Sequence, residues 1–144
     1  MILLLLIQGL VMCNSSDSAN GGDFKALKPV VLAQITAEER KNSVVYLDER
    51  VRPAGKVKCG ATEVQVEHPH VLAFIDLQPG ANWMHPCRYL LIDPTSRRVT
   101  AVPGDRPPVF GTLPPTWRVV SRPPGLPDWR LLPGSQTSPK SNHE

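Results

Sequence analysis

Two short pairs carry most of the chemistry this chain could do: His68-Pro-His70 and His85-Pro-Cys87. Residues two apart on a strand face the same side, so each pair can present its donors together. Imidazole nitrogen and thiolate sulfur are ligands that Zn²⁺ accepts in a tetrahedral set. His68, His70, His85 and Cys87 therefore form one candidate metal site, with zinc as the cofactor, although their spacing matches no standard zinc finger.

Cys87 has two competing uses. Paired with His85, it could serve as a nucleophile activated by a base, but no cysteine-hydrolase signature surrounds it. Paired with Cys59, it would form a disulfide closing a loop of about 28 residues, stabilising the fold by roughly 3 kcal/mol in the chain-entropy model. Asp76 and Asp93 each follow an apolar run and could make a carboxylate pair; capping of strand ends accounts for both. No catalytic residue is assigned, and the chain reads as a non-enzyme that needs no cofactor, with the zinc site as the alternative.

Between the two pairs lies the loop Gln78–Pro86, which holds Asn82, Trp83 and Met84 beside Gly80. Large apolar side chains in a Pro/Gly loop mark a binding surface or fold back over a core. Asn82, Trp83 and Met84 are the candidate binding residues.

The elements that must position these groups are short. Val44–Leu47, Val71–Leu77 and Arg88–Asp93 are apolar runs of strand length. Residues 57–66 alternate, with a phase change at Gly60 that predicts a bulge or a bend. Val99–Val102 pairs back on 89–92 as a hairpin across Asp93-Pro-Thr-Ser turn chemistry. Thr36-Ala-Glu-Glu39 is a capping box that opens one short helix. Pro29–Ile35 reads as a first strand or a lead-in to that helix.

The predicted fold class is mainly β (α+β): a small antiparallel sheet of strands near 44–47, 57–66, 71–77, 88–93 and 99–102, one short helix and a Pro-rich C-terminal arm. Nine prolines fall between Pro103 and Pro133, excluding a long helix or a central strand there. Phe110, Trp117 and Trp129 make this arm too apolar for a spacer, so it is expected to pack on the domain.

The ends of the chain complete the domain plan. Ile2–Met12 is an apolar stretch of about 11 residues, short of the roughly 20 that span a bilayer, and small polar residues follow it. That is the pattern of a signal peptide. The division is thus a signal peptide over 1–19, a strand-rich domain over 24–104, an arm over 105–134 and a disordered tail over 135–144. With 16 basic and 13 acidic side chains, the net charge is +3. No segment has the dense basic stripe of a nucleic-acid footprint, and no stable membrane span is expected.

Tyr89-Leu-Leu-Ile-Asp-Pro-Thr-Ser-Arg-Arg-Val-Thr-Ala-Val102 resembles the closing hairpin of PepSY-type domains, over residues 89–102 only. Such domains occur in secreted proteins and protease propeptides. The resemblance implies a non-enzymatic, protein-binding role. The usual turn glycine is replaced here by Ser96-Arg97.

The leading expectation is a secreted small binding or inhibitor-like module whose partner is an extracellular protein. An extracellular metal-binding domain is second and a secreted enzyme third. If the chain is exported, only Cys59 and Cys87 remain after cleavage beyond Cys13, and an oxidising compartment favours joining them. Non-reducing peptide mapping of the secreted protein should then recover their peptides linked. Two alkylatable thiols would refute the bond.

Overall fold

The computed structural model describes residues 22–81 and 83–137. The predicted signal peptide and Asn82 lie outside the described residues. The elements run α1 (Phe24–Leu32), α2 (Ala37–Asn42), β1 (Val44–Arg52), β2 (Gly55–Cys59), β3 (Thr62–Val66), β4 (His70–Asp76), β5 (Cys87–Ile92), β6 (Val99–Gly104) and β7 (Trp117–Ser121). A 3₁₀ turn follows at Asp128–Arg130. The fold is mainly β, as expected. Five antiparallel strands form one sheet in the order β6-β5-β4-β1-β7, and β2-β3 is a separate hairpin.

Three elements differ from expectation. First, residues 57–66 are not one bulged sheet strand. Gly60 takes a left-handed φ of 66° and turns the chain, so Cys59 pairs with Thr62 and the segment lies outside the main sheet. Second, the Pro29–Ile35 region lies largely inside a helix. Asp23 caps α1 by accepting from the N–H groups of Lys25 and Ala26, and Leu27 and Val31 lie one turn apart on its buried face. Burial of that stripe overrides the weak helix propensity of Val30-Val31 and the proline within it. Third, the arm does more than pack on the domain: it supplies β7, an edge strand hydrogen-bonded to β1.

Side chains alternate across the sheet. Val45, Leu47, Val71, Ala73, Ile75, Leu90 and Ile92 form one core with Leu27 and Val31 of α1. Val44, Tyr46, Leu72, Phe74, Tyr89 and Leu91 form the other, with Val57, Cys59 and Val66 of the hairpin and Leu113 and Trp117 of the arm. Trp117 is 1% exposed, a burial whose loss to alanine costs about 3–5 kcal/mol in comparable cores. Of the tail expected to be disordered over 135–144, residues 135–137 are described. Gln136 accepts from the Val119 N–H and donates to the Trp117 carbonyl, at 2.9 and 2.8 Å. Residues 138–144 lie outside the described residues.

The β5–β6 turn holds Asp93 in the role expected of it. Its carboxylate accepts from the Thr95 and Ser96 N–H groups at 2.8 and 3.0 Å. Arg97 takes a left-handed φ of 61°, an arrangement glycine adopts without the Cβ strain.

The capping box forms as read, with Thr36 Oγ1 accepting from Glu39 N–H and Glu39 accepting from Thr36 N–H. Glu39 also receives both terminal nitrogens of Arg88 on β5, at 2.8 and 3.1 Å, and Arg88 donates to the Gln34 carbonyl at 2.9 Å. This bidentate contact ties α2 to the sheet. It holds the Glu39 carboxyl well down, at about 2, chiefly through the hydrogen bond from Arg88. A lowered carboxyl contributes stability above its unfolded value and loses it as pH falls through the folded one. Glu39→Gln should therefore lower the melting temperature by several degrees at neutral pH. It should also flatten the acid limb between about pH 4.5 and pH 2, as followed by circular dichroism. An unchanged acid limb would remove Glu39 from the account.

Candidate functional site

The site is built at the C-terminal end of β4. Asp76 is the last residue of that strand and pairs with Cys87 at the start of β5. The 78–86 loop must therefore leave and return at the same edge, which brings His85 back over Asp76. His85 Nε2 lies 2.8 Å from Asp76 Oδ1, and the same oxygen accepts from the Gln78 N–H at 3.0 Å. Both side chains are almost wholly covered. His85 Nδ1 lies 2.8 Å from the Trp83 carbonyl. A carbonyl only accepts, so Nδ1 carries a proton. The second ring nitrogen is held by the carboxylate, leaving no free nitrogen for a ligand or a reacting group. His85 positions the loop.

With its base fixed, the loop turns its apolar residues outward. Trp83 is 82% and Met84 65% exposed. The arm brings Phe110, 76% exposed, and Trp129, 74% exposed, to the same place. Together with Val109, Leu131 and Leu132, these residues line a cleft of about 550 Å³ with Phe74 and the Asp76–His85 pair among its walls. Two guanidinium groups stand at it. Arg106 donates to Asp105 at 2.8 and 2.9 Å and to Met84 Sδ at 3.3 Å. Arg130 stacks on the Trp129 ring, 5.0 Å from its centroid. Gly80, at φ 84°, lets the loop approach the arm; a Cβ there would meet the Arg130 stem at 3.0 Å.

The arm is pinned beneath the cleft by two tyrosines. Tyr46 Oη accepts from the Leu132 N–H at 2.9 Å, and Tyr89 donates to the Arg106 carbonyl at 2.7 Å. Burial raises the pKa of both phenols. The cleft walls thus rest on hydrogen bonds from the core rather than on loop contacts alone.

Several candidate residues are not brought together. His70 starts β4 and His85 lies beyond its other end, six strand steps or about 20 Å away. His68 and His70 therefore cannot join His85 and Cys87 around one ion, and the four-ligand zinc site is corrected on that ground. Among the described residues, no group of three or more His, Cys, Asp or Glu is placed to hold a metal. Asp76 and Asp93 likewise sit at opposite ends of the β4–β5 pair. Cys87 Sγ points to the Arg106 carbonyl at 3.4 Å. Burial pushes its thiol up to about 11, and that of Cys59 likewise to about 11. Both cysteines are free buried thiols within one core cluster.

Of the expected binding residues, Trp83 and Met84 line the cleft. Phe110, Trp129, Arg106 and Arg130, which also line it, are not among those expected binding residues. The prolines around them signalled an extended arm, but its docking site depends on contacts distant in sequence. The Asp76–His85 pair had a local signal: Asp ends one strand run and His stands two residues before the next.

His85→Ala would leave the Asp76 carboxylate buried with one N–H donor. Breaking such a pair costs about 3–5 kcal/mol, so thermal denaturation should show a marked loss of stability. Amide exchange should quicken first in the 78–86 loop. Wild-type stability and exchange in this variant would show that the pair does not fix the loop.

Compared with protein-family models, curated proteins and solved structures, the chain has no match.

Proposed function

We propose that this protein is a secreted, non-catalytic binding module. It holds an extended segment of an extracellular partner protein in the Trp83–Phe110–Trp129 cleft. The observation that carries the reading is the convergence of four large, exposed apolar side chains on one cleft. Scattered apolar residues are ordinary on a surface, whereas a contiguous patch marks an interaction site. Trp and Tyr anchors seated in pockets, together with Arg, dominate binding energies at such sites.

The chemistry of the cleft describes its occupant. The walls suit an aromatic or branched aliphatic side chain. Arg130 suits a carboxylate beside it, and Arg106, whose Nε and Nη2 already serve Asp105 and Met84, adds its Nη1. The resemblance of 89–102 to a PepSY closing hairpin favours the same class of role. Export rests on the apolar leader, and in an oxidising compartment Cys59 and Cys87 would be joined. No helix among the described residues is long and apolar enough to cross a membrane.

A random linear peptide library displayed on phage tests the reading. Selection on the folded protein should enrich peptides with a large apolar residue next to Asp or Glu. Trp83→Ser and Phe110→Ser, each with an unchanged circular dichroism spectrum, should weaken binding at least tenfold. Failure to enrich, or equal binding by both variants, would overturn the proposal. So would concentration-dependent self-association through these residues in sedimentation, since the cleft would then hold a second copy.

A further inference from the structure

The opposite end of β4 holds polar atoms that the protein leaves without partners. His70 is 1% exposed, yet its Nε2 has no hydrogen-bond partner. Arg52, which pairs with His70 across the β1–β4 ladder, has an equally orphaned buried Nη1. Its Nη2 lies 2.8 Å from Asp48 Oδ2. That oxygen nevertheless lacks a directed hydrogen bond, so the contact is a charge contact off the N–H axes. Leaving such groups unmet is unfavourable, because each has given up its hydrogen bonds to water. Both His70 and Arg52 line one cavity of about 350 Å³ beside the β1–β2 turn, with Arg50 and Lys56 also on its wall.

The proton positions follow from the partners. His70 Nδ1 lies 3.2 Å from the His68 carbonyl, so Nδ1 carries the hydrogen and the neutral ring offers a lone pair at Nε2. Burial pushes the imidazole's pKa down, and the charges of Arg52 and His68 add to this against the His68 hydrogen bond. The cavity therefore presents an acceptor next to a cationic donor. The nearby charges are Arg50, Arg52 and Asp48 of β1, Lys56 of β2 and, paired to Lys56 at 3.5 Å, Glu63 of β3. Three cations face two carboxylates.

We propose that this cavity is a binding site for a proton-bearing phosphate group, with Arg52 Nη1 donating to one oxygen and His70 Nε2 sharing a proton with another. Lys56 and Arg50, exposed at the mouth, add attraction without fixing geometry. Sulfate has the same shape and carries no proton in this pH range. It requires His70 to take one from solution, so phosphate is preferred at neutral pH and sulfate gains as pH falls. The site is independent of the cleft, which lies about 20 Å away along β4.

The test is a titration of the full chain with inorganic phosphate, sodium sulfate and glycerol phosphate, followed by amide chemical shifts at about pH 7 and about pH 5.5. Phosphate should give saturable shifts centred on residues 50–57 and 70. Sulfate should bind at least tenfold more weakly at the higher pH and recover at the lower. Tighter binding of glycerol phosphate would identify an ester as the source; its exclusion would identify the free ion. His70→Ala should abolish the preference for phosphate over sulfate. If that variant does not fold, Arg50→Gln with Lys56→Gln, which alters exposed side chains only, should weaken phosphate several-fold. Unsaturable shifts would overturn the site, as would equal response to both anions at both pH values or shifts spread equally over Arg97 and Arg98. The orphaned atoms would then be met by water alone.

Discussion

Every residue of β4, from His70 to Asp76, is buried. A central strand covered on both faces cannot stand on one amphipathic layer, and the remaining elements answer that demand. On one face α1 lays Leu27 and Val31 over Val71, Ala73 and Ile75. On the other, Leu72 and Phe74 are covered from two directions, by the β2–β3 hairpin and by the arm. Neither cover is large. Each apolar side chain removed from water contributes only about 1.5–3 kcal/mol, so a domain of this size needs both.

The same constraint places the polar chemistry at the strand's ends. A carboxylate or imidazole within β4 would be buried without solvent, so Asp76 and His70 occur where the strand meets a loop or a turn. At one end Asp76 is matched by His85, and Trp83 and Met84 of the loop between them are exposed. At the other, His70 and Arg52 are left partly unmatched. Fully paired polar groups are fixed supports, whereas orphaned ones are positions from which a ligand gains free energy.

The arm joins stability to the proposed function. Its prolines limit the unfolded chain and so reduce the entropy lost on ordering. β7 adds a ladder to β1, Trp117 fills the core, and Tyr46 and Tyr89 hold the flanking backbone. With those anchors in place, Phe110 and Trp129 remain outside. Their exposure is the feature on which the proposed binding role rests.

The sequence by itself determined the local features. Continuous apolar runs of strand length marked β1, β4 and β5, and alternation marked β6; Thr36 and Glu39 marked the cap of α2; Asp93 marked a turn whose hydrogen bonds span three residues. These depend on neighbours within a few positions. Tertiary structure alone decided which runs share the main sheet, that Gly60 turns 55–66 into a separate hairpin, and that 117–121 becomes an edge strand. It also separated His70 from His85 and joined His85 to Asp76. The sequence placed both histidines beside one apolar run, but an extended strand carries its two ends about 20 Å apart. Antiparallel return then brings the far ends of a loop into contact. Proximity along the chain and proximity in space part company there, because strand extension and register act over distances that residue spacing does not encode.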